Sequence, residues 1–275
     1  MAPKVLSQVD ADGNAAVVLN RPEVHNAFDP EMVDQLTAAL KELEANAKVR
    51  AVVLTGAGAN FSAGADIAHM KASARASRAQ NVESARGAAR MLHTLHTLKK
   101  PTIACVRGAV RGGGLGLVAA CDIAIAEVQA TFKLSEVRLG IMPAVISPYV
   151  VGAIGAHMAR RYMISGEEFN AAEAYRIGLV HDICQAEELS AVVGRMLAHL
   201  YAGGPQATVA VKRLIAEVDS APLDAALVEK TAQRLAEIRG TPEAQEGLSA
   251  FLEKRQAAWT RPASQKKQSS RKRAR

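Results

Sequence analysis

The sequence is short of features that would staple or anchor a chain. It has three cysteines, Cys105, Cys121 and Cys184, each in an apolar stretch, without CxxC spacing or the dense pattern of a secreted disulfide scaffold. They read as reduced, small core hydrophobes of a cytoplasmic protein. Aromatic residues make up only 4% of the chain and alanine about a fifth, which favours helices packed through small side chains over a β-sandwich. No apolar run reaches the ~18 residues of a membrane span, and the first ten residues lack the apolar stretch of a secretory signal. His93 and His96 lie three apart on a predicted helix, but no carboxylate or cysteine completes a set, so no metal is expected.

Acid is missing from one end. The chain carries 34 Lys and Arg against 27 Asp and Glu, a formal charge of +7. Seven of those bases (Arg261, Lys266, Lys267, Arg271, Lys272, Arg273 and Arg275) follow Thr260, where there is no acid, and without them the two signs balance. Residues 259–275 form a basic tail without hydrophobic period, expected to be disordered. Residues 261–275 suit non-specific contact with a polyanion, which makes nucleic-acid binding the alternative function from another class. The tail has no aromatics to stack on bases, and no amphipathic face accompanies its charges, so no membrane association is expected.

What is present is a change of character along 275 residues that are 49% hydrophobic, ample for a core without staples. Strand and helix signals alternate first: a strand ending at Val17-Val18-Leu19, a helix opened by Asp29-Pro30 and running to about Asn46, and a strand from Val49 to Thr55. Residues 59–80 read as loop. A helix follows from about Asn81 to Leu98, then a strand from Pro101 to Val106, a short helix to Ala120, a strand from Cys121 to Ala126 and a short one near Thr131–Leu134. From Ser147 to about Arg255 the periods are helical, with almost no strand signal. That order predicts an α/β core with an α-helical C-terminal extension.

The densest chemistry lies in Val106–Leu117, where Gly108 and Gly112-Gly113-Gly114 stand between a strand and a helix. Glycine there lets backbone approach a ligand closely, and the helix start offers free N–H groups to a phosphate or a developing oxyanion. The spacing is neither a dinucleotide G-x-G-x-x-G nor a Walker A loop. A second glycine-bearing loop, Asn60–Ile67, also follows a strand, and two such loops could each lend one N–H to the same oxygen.

Over about residues 5–255 the chain resembles the crotonase superfamily, the enoyl-CoA hydratases and isomerases. The matching marks are Asn20-Arg21-Pro22 with His25-Asn26-Ala27, Phe61 through Ile67, Gly108, the Gly112-Gly113-Gly114 run, Cys121-Asp122, Phe132 through Pro143, and Ala172-Glu173-Ala174 with Gly178-Leu179-Val180. The resemblance implies the crotonase (ClpP-like) α/β spiral of ββα turns: two roughly perpendicular sheets in a core over 1–200, and a helical trimerisation region over 201–258. It implies an acyl-CoA substrate, no cofactor beyond the CoA of that substrate, and a homotrimer or a dimer of trimers. The oxyanion hole would be the N–H groups of Ala65 and Gly113. His25, Ala27, Ala63, Asp66, Ile67 and Gly112 would face CoA or support the loop that does.

Hydratases of this family carry two glutamates, whereas this sequence has Gly116 at one of those positions and Glu136 at the other. Glu136 is then the sole general acid and base. Gly116 is expected to open space and to remove a negative charge, admitting a substrate with its own carboxylate that Arg138, Arg107 or Arg111 could pair. Together with Ser135–Gly140 and Pro143–Pro148, this looks like bacterial hydratases of methylglutaconyl-CoA and isohexenylglutaconyl-CoA, which act in leucine and acyclic terpene breakdown. An isomerase or decarboxylase of the same superfamily is the alternative.

Overall fold

Why the chain alternates is visible in the computed structural model, which describes residues 2–219 and 221–260. In chain order the first half runs β1 (Val5–Val9), β2 (Asn14–Leu19), α1 (Pro30–Ala45), β3 (Ala51–Gly56), α2 (Ile67–Ser73), α3 (Arg78–His96), β4 (Thr102–Val106), β5 (Ala109–Arg111), α4 (Gly113–Ala120), β6 (Ile123–Glu127) and β7 (Thr131–Lys133). After a 3-10 turn at Glu136–Leu139 come α5 (Ser147–Ser165), β8 (Glu168–Asn170), α6 (Ala171–Arg176), β9 (Asp182–Cys184), α7 (Leu189–Ala202), α8 (Pro205–Asp219), α9 (Ala225–Arg239) and α10 (Pro242–Leu252).

The strands form two sheets, one in the order β1-β2-β3-β4-β6-β9 and the other β5-β7-β8. In the larger, β1 and β2 make an antiparallel pair and every later pairing is parallel. Parallel strands covered on both faces are apolar almost throughout, and Val52, Leu54, Ile103, Ala104, Ala124, Ile125 and Ala126 are all buried. In the smaller sheet Phe132 stacks on Phe169, and Tyr162 of α5 lies 4.2 Å from the Phe169 ring centre, fastening the sheet to that helix.

The helices follow their caps. Asp29 accepts from the Met32 N–H and Pro30 occupies the first turn, so α1 starts where the sequence predicts and buries Met32, Val33, Leu36, Leu40 and Leu43. Its buried face packs on α3, while α4 packs between α3 and α5. Within α5, Gly155 has φ +70° and breaks the helical path, a conformation that costs a side-chain-bearing residue roughly 1–2 kcal/mol.

Three expectations need correction. Residues 59–80 are not all loop: Asp66 caps α2 through the Ala68 and His69 N–H groups, and the helix buries no residue, so it has no apolar period to read. The region after Ser147 contains β8 and β9, three residues each, too short to show alternation. β1 was not anticipated either; it is an edge strand with three exposed residues.

Candidate active site

Two loops meet because their strands are held side by side. The Ser62 N–H donates to the Ala109 carbonyl (3.2 Å) and the Arg111 N–H to the Ser62 carbonyl (2.9 Å). Contact is close enough to demand glycine. A Cβ on Gly64, whose φ is +81°, would lie 2.8 Å from the Arg111 oxygen and 3.4 Å from the Gly113 nitrogen, and one on Gly114 would lie 2.8 Å from the Ser62 Cβ. The residue after Gly64 is thereby set against the first turn of α4.

The predicted oxyanion donors have the required freedom. Phe28 bridges this loop through the Gly64 carbonyl and the Asp66 N–H, passing over Ala65. The Gly112 N–H donates to the Lys133 carbonyl at 3.0 Å. Among the described residues the N–H groups of Ala65 and Gly113 have no acceptor, and neither residue is buried. Gly113 also starts α4, where free N–H groups and the helix dipole favour negative charge.

Glu136 lies against the same turn. Its Oε1 is 2.9 Å from where a Cβ on Gly112 (φ +46°) would stand. Its Oε2 is buried without a hydrogen-bond partner, and burial pushes the carboxyl above the usual glutamate range. A half-desolvated carboxyl beside two unoccupied N–H donors is an arrangement for moving a proton next to a stabilised oxyanion.

The early loop supports these groups. Asn26, fully buried at φ +55°, accepts from the Arg21 N–H (2.9 Å) and donates to the carbonyls of Ala57 (2.9 Å) and Asn60 (2.8 Å). Ser62 donates to the Asn26 carbonyl and accepts from the Gly64 N–H. His25 is exposed, its Nδ1 3.0 Å from the Asn60 side-chain nitrogen, and its carbonyl accepts from the Ala63 N–H at 2.8 Å. Ile67 is 66% exposed, open to a ligand. Ala27 differs: it is buried and its carbonyl accepts from Arg21 at 2.6 Å, so it holds the loop rather than presenting a contact surface. Sequence reasoning gives Asn26, Arg21 and Ser62 no role, because the partners of their side chains lie up to 45 residues away.

Asp66 is a keystone of this loop. It caps α2 and pairs with Arg21 at 3.0 Å, and Arg21 also pairs with Asp29. Burial raises the Asp66 carboxyl, but donation from His69, Arg21 and Ala68 outweighs it and leaves the group below the usual aspartate range. Stability from a lowered acid is complete above its unfolded pKa and is lost as pH falls through the folded one. Asp66→Asn is therefore expected to destabilise by about 1–3 kcal/mol in denaturant titrations near neutrality, with the difference shrinking below about pH 4.

The space expected beside Gly116 is filled. A Cβ there would lie 2.3 Å from Ile146 Cγ2 and 2.8 Å from Ile146 Cβ, with Leu92 Cδ2 at 3.6 Å. Nor does an arginine line that wall. Arg111 is engaged by Thr131 and Glu168, and Arg107 is exposed and reaches the Ala186 carbonyl. Arg138, two residues from Glu136, lies against Gly166; it is exposed, and its side chain has no ion pair or hydrogen bond among the described residues. A surface cavity of about 410 Å³ among Arg161, Tyr162, Glu167, Glu168 and Glu173 includes none of the site residues. Its charges pair with one another or with Arg111 and Arg176.

Known proteins share this architecture along nearly the whole chain. The enoyl-CoA hydratase/isomerase family matches residues 11–262. A crotonyl-CoA hydratase of Syntrophomonas wolfei is 33% identical over 246 residues, covering 88% of this chain and 93% of that protein. The crystal structure of an enoyl-CoA hydratase from Shewanella pealeana superposes with TM-score 0.90 at 40% identity, covering 93% of this chain and 96% of its own. Pseudomonas aeruginosa AtuE does so with TM-score 0.90 at 36% identity, covering 94% and 100%. With a crotonase fold, two glycine-set loops presenting free N–H groups, and a half-buried carboxyl against the start of α4, the chain belongs to the enoyl-CoA hydratase/isomerase family.

Proposed function

We propose that the protein adds water reversibly across the C2–C3 double bond of a branched, 3-methylglutaconyl-type enoyl-CoA. The observation that carries this reading is the buried, unpartnered Oε2 of Glu136 against the turn that carries the free N–H of Gly113, with the free N–H of Ala65 in the adjoining loop. The thioester oxygen accepts from those two donors. Ionised Glu136 takes a proton from water as the water oxygen bonds to C3, and the electrons of the double bond move onto the thioester as an enolate. The donors are aimed at the oxygen where that charge develops, so they stabilise it more than the ground state. Glu136, now neutral, returns the proton to C2. One carboxyl performs both transfers, CoA stays part of the substrate, and no cofactor is consumed.

The carboxylated acyl chain is supported by charge rather than by space. With glycine at 116, a substrate carboxylate meets one acidic side chain instead of two, and Arg138 is the unengaged guanidinium in the turn that carries Glu136. Arg138→Ala is expected to lower kcat/KM for 3-methylglutaconyl-CoA by about tenfold or more while changing crotonyl-CoA turnover little, since a hydrogen bond to a charged group contributes about 1.5–3 kcal/mol. Equal effects on both esters would exclude Arg138 from that role. The same carboxyl could instead move a proton within the substrate, as an isomerase does, and product mass separates the two.

The base must be ionised to act, and burial raises its pKa. The acid limb of kcat/KM is therefore expected above the ordinary glutamate value of about 4.3, and activity falls as pH drops through it. Self-association as a trimer or dimer of trimers is also proposed. It is supported by Val211, Ile215, Val228, Leu235 and Phe251 of α8–α10, which a single chain leaves exposed. The polyanion contact falls on residues 261–275, outside the described residues.

A further inference from the structure

The segment from Glu136 to Ile146 touches α4 at both ends. Glu136 reaches the position of Gly112, and Ile146 fills that of Gly116. Four residues span about 6 Å of helix, so the carboxyl and the isoleucine line one wall at two depths. Gly116 stands one turn beyond Gly113, where a side chain would lean back toward the donor end of the helix. Ile146 holds that direction, itself 5% exposed, with Leu92 Cδ2 3.6 Å from the same position, and its carbonyl accepts from the Tyr149 and Val150 N–H groups, fixing it to the start of α5. A glutamate at 116 has no room. Hydrocarbon has replaced both the charge and the space.

We infer, building on the hydratase reading, that Ile146 is a specificity-determining residue: with Leu92 it forms the apolar wall that limits the bulk of the alkyl group at C3 of the acyl chain. The substrate class is then enoyl-CoA esters whose C3 substituent is no larger than a methyl branch. In such a site one methylene changes selectivity by about 10- to 200-fold.

The test compares 3-methylpent-2-enoyl-CoA with 3-ethylpent-2-enoyl-CoA, which differ by one methylene in the C3 branch, by kcat/KM and by calorimetric Kd, in the wild type, Ile146→Val and Ile146→Ala. The preference for the smaller ester is expected to drop at least tenfold in Ile146→Ala and by a smaller factor in Ile146→Val. A ratio within twofold of wild type in both folded variants overturns the inference. If the Ala variant does not fold, the Val variant decides. If the wild type hydrates neither these esters nor 3-methylglutaconyl-CoA, the hydratase reading fails, while the Kd ratio still reports on the wall. Gly116→Ala alone should lower the melting temperature and Ile146→Ala should relieve that loss; a Gly116→Ala protein as stable as wild type would show that Ile146 does not fill the position.

Discussion

Glu136→Gln is expected to lower kcat for hydration by about 10²- to 10⁴-fold, the usual contribution of a positioned acid–base group, with little change in affinity for the CoA ester. The amide keeps the shape of the side chain but can neither take a proton from water nor return one to C2. Most family relatives divide this work between two glutamates, as the resemblance implies. Here the second position is a glycine packed by Ile146, so no acid stands at that position to take over. Because Glu136 Oε2 is buried without a partner in the free protein, replacing it removes an unfavourable desolvation. The variant is therefore expected to melt at or above the wild-type temperature near neutral pH. Loss of activity with undiminished stability is the signature of a group held in an unfavourable state for its chemistry. A variant that retains more than a tenth of the rate would remove Glu136 from the mechanism.

Gly64→Ala is expected to lower kcat and kcat/KM together by about 10²- to 10³-fold, the loss seen when one oxyanion donor is misplaced. Two effects add. The residue sits at φ +81°, which costs a side-chain-bearing residue about 1–2 kcal/mol. The new Cβ would also stand 2.8 Å from a backbone oxygen, that of Arg111, which cannot swing aside as a side-chain end can. Relief requires the two loops to separate, carrying the Ala65 N–H away from the Gly113 N–H. Donor geometry matters most for the enolate, so turnover should suffer more than ground-state binding. An equal loss in Kd and in kcat/KM, with kcat intact, would show that the loops bind CoA but do not form the oxyanion site.

How much of this was legible in the sequence depends on the range over which each feature is decided. α1 was readable because its cap, its proline and its five buried residues are all local. The glycine loops are readable from their spacing and position after strands, whereas Glu136 enters only as what the family resemblance implies. α2, β8 and β9 are not readable, being too short for a period to emerge. Asn26 stands within a recognisable motif, yet its function as a buried tie among Arg21, Ala57 and Asn60 depends on contacts that only the fold creates. Gly116 shows the same limit from the other direction. A missing side chain suggests empty space, but packing decides what enters it, and Ile146 lies 30 residues farther along the chain.

Charge was the feature most open to misreading. The +7 belongs to residues after Thr260, and the chemistry we propose for the folded part uses two N–H groups and one carboxyl.

The most direct test of the central claim is the mass of the product formed in isotopically labelled water. Purified protein is incubated with 3-methylglutaconyl-CoA and, separately, crotonyl-CoA, and the esters are resolved by mass spectrometry. Hydration predicts that the ester gains one water whose oxygen carries the label, at a rate that falls with Glu136→Gln. A product of unchanged mass, or one that has lost carbon dioxide, would contradict it.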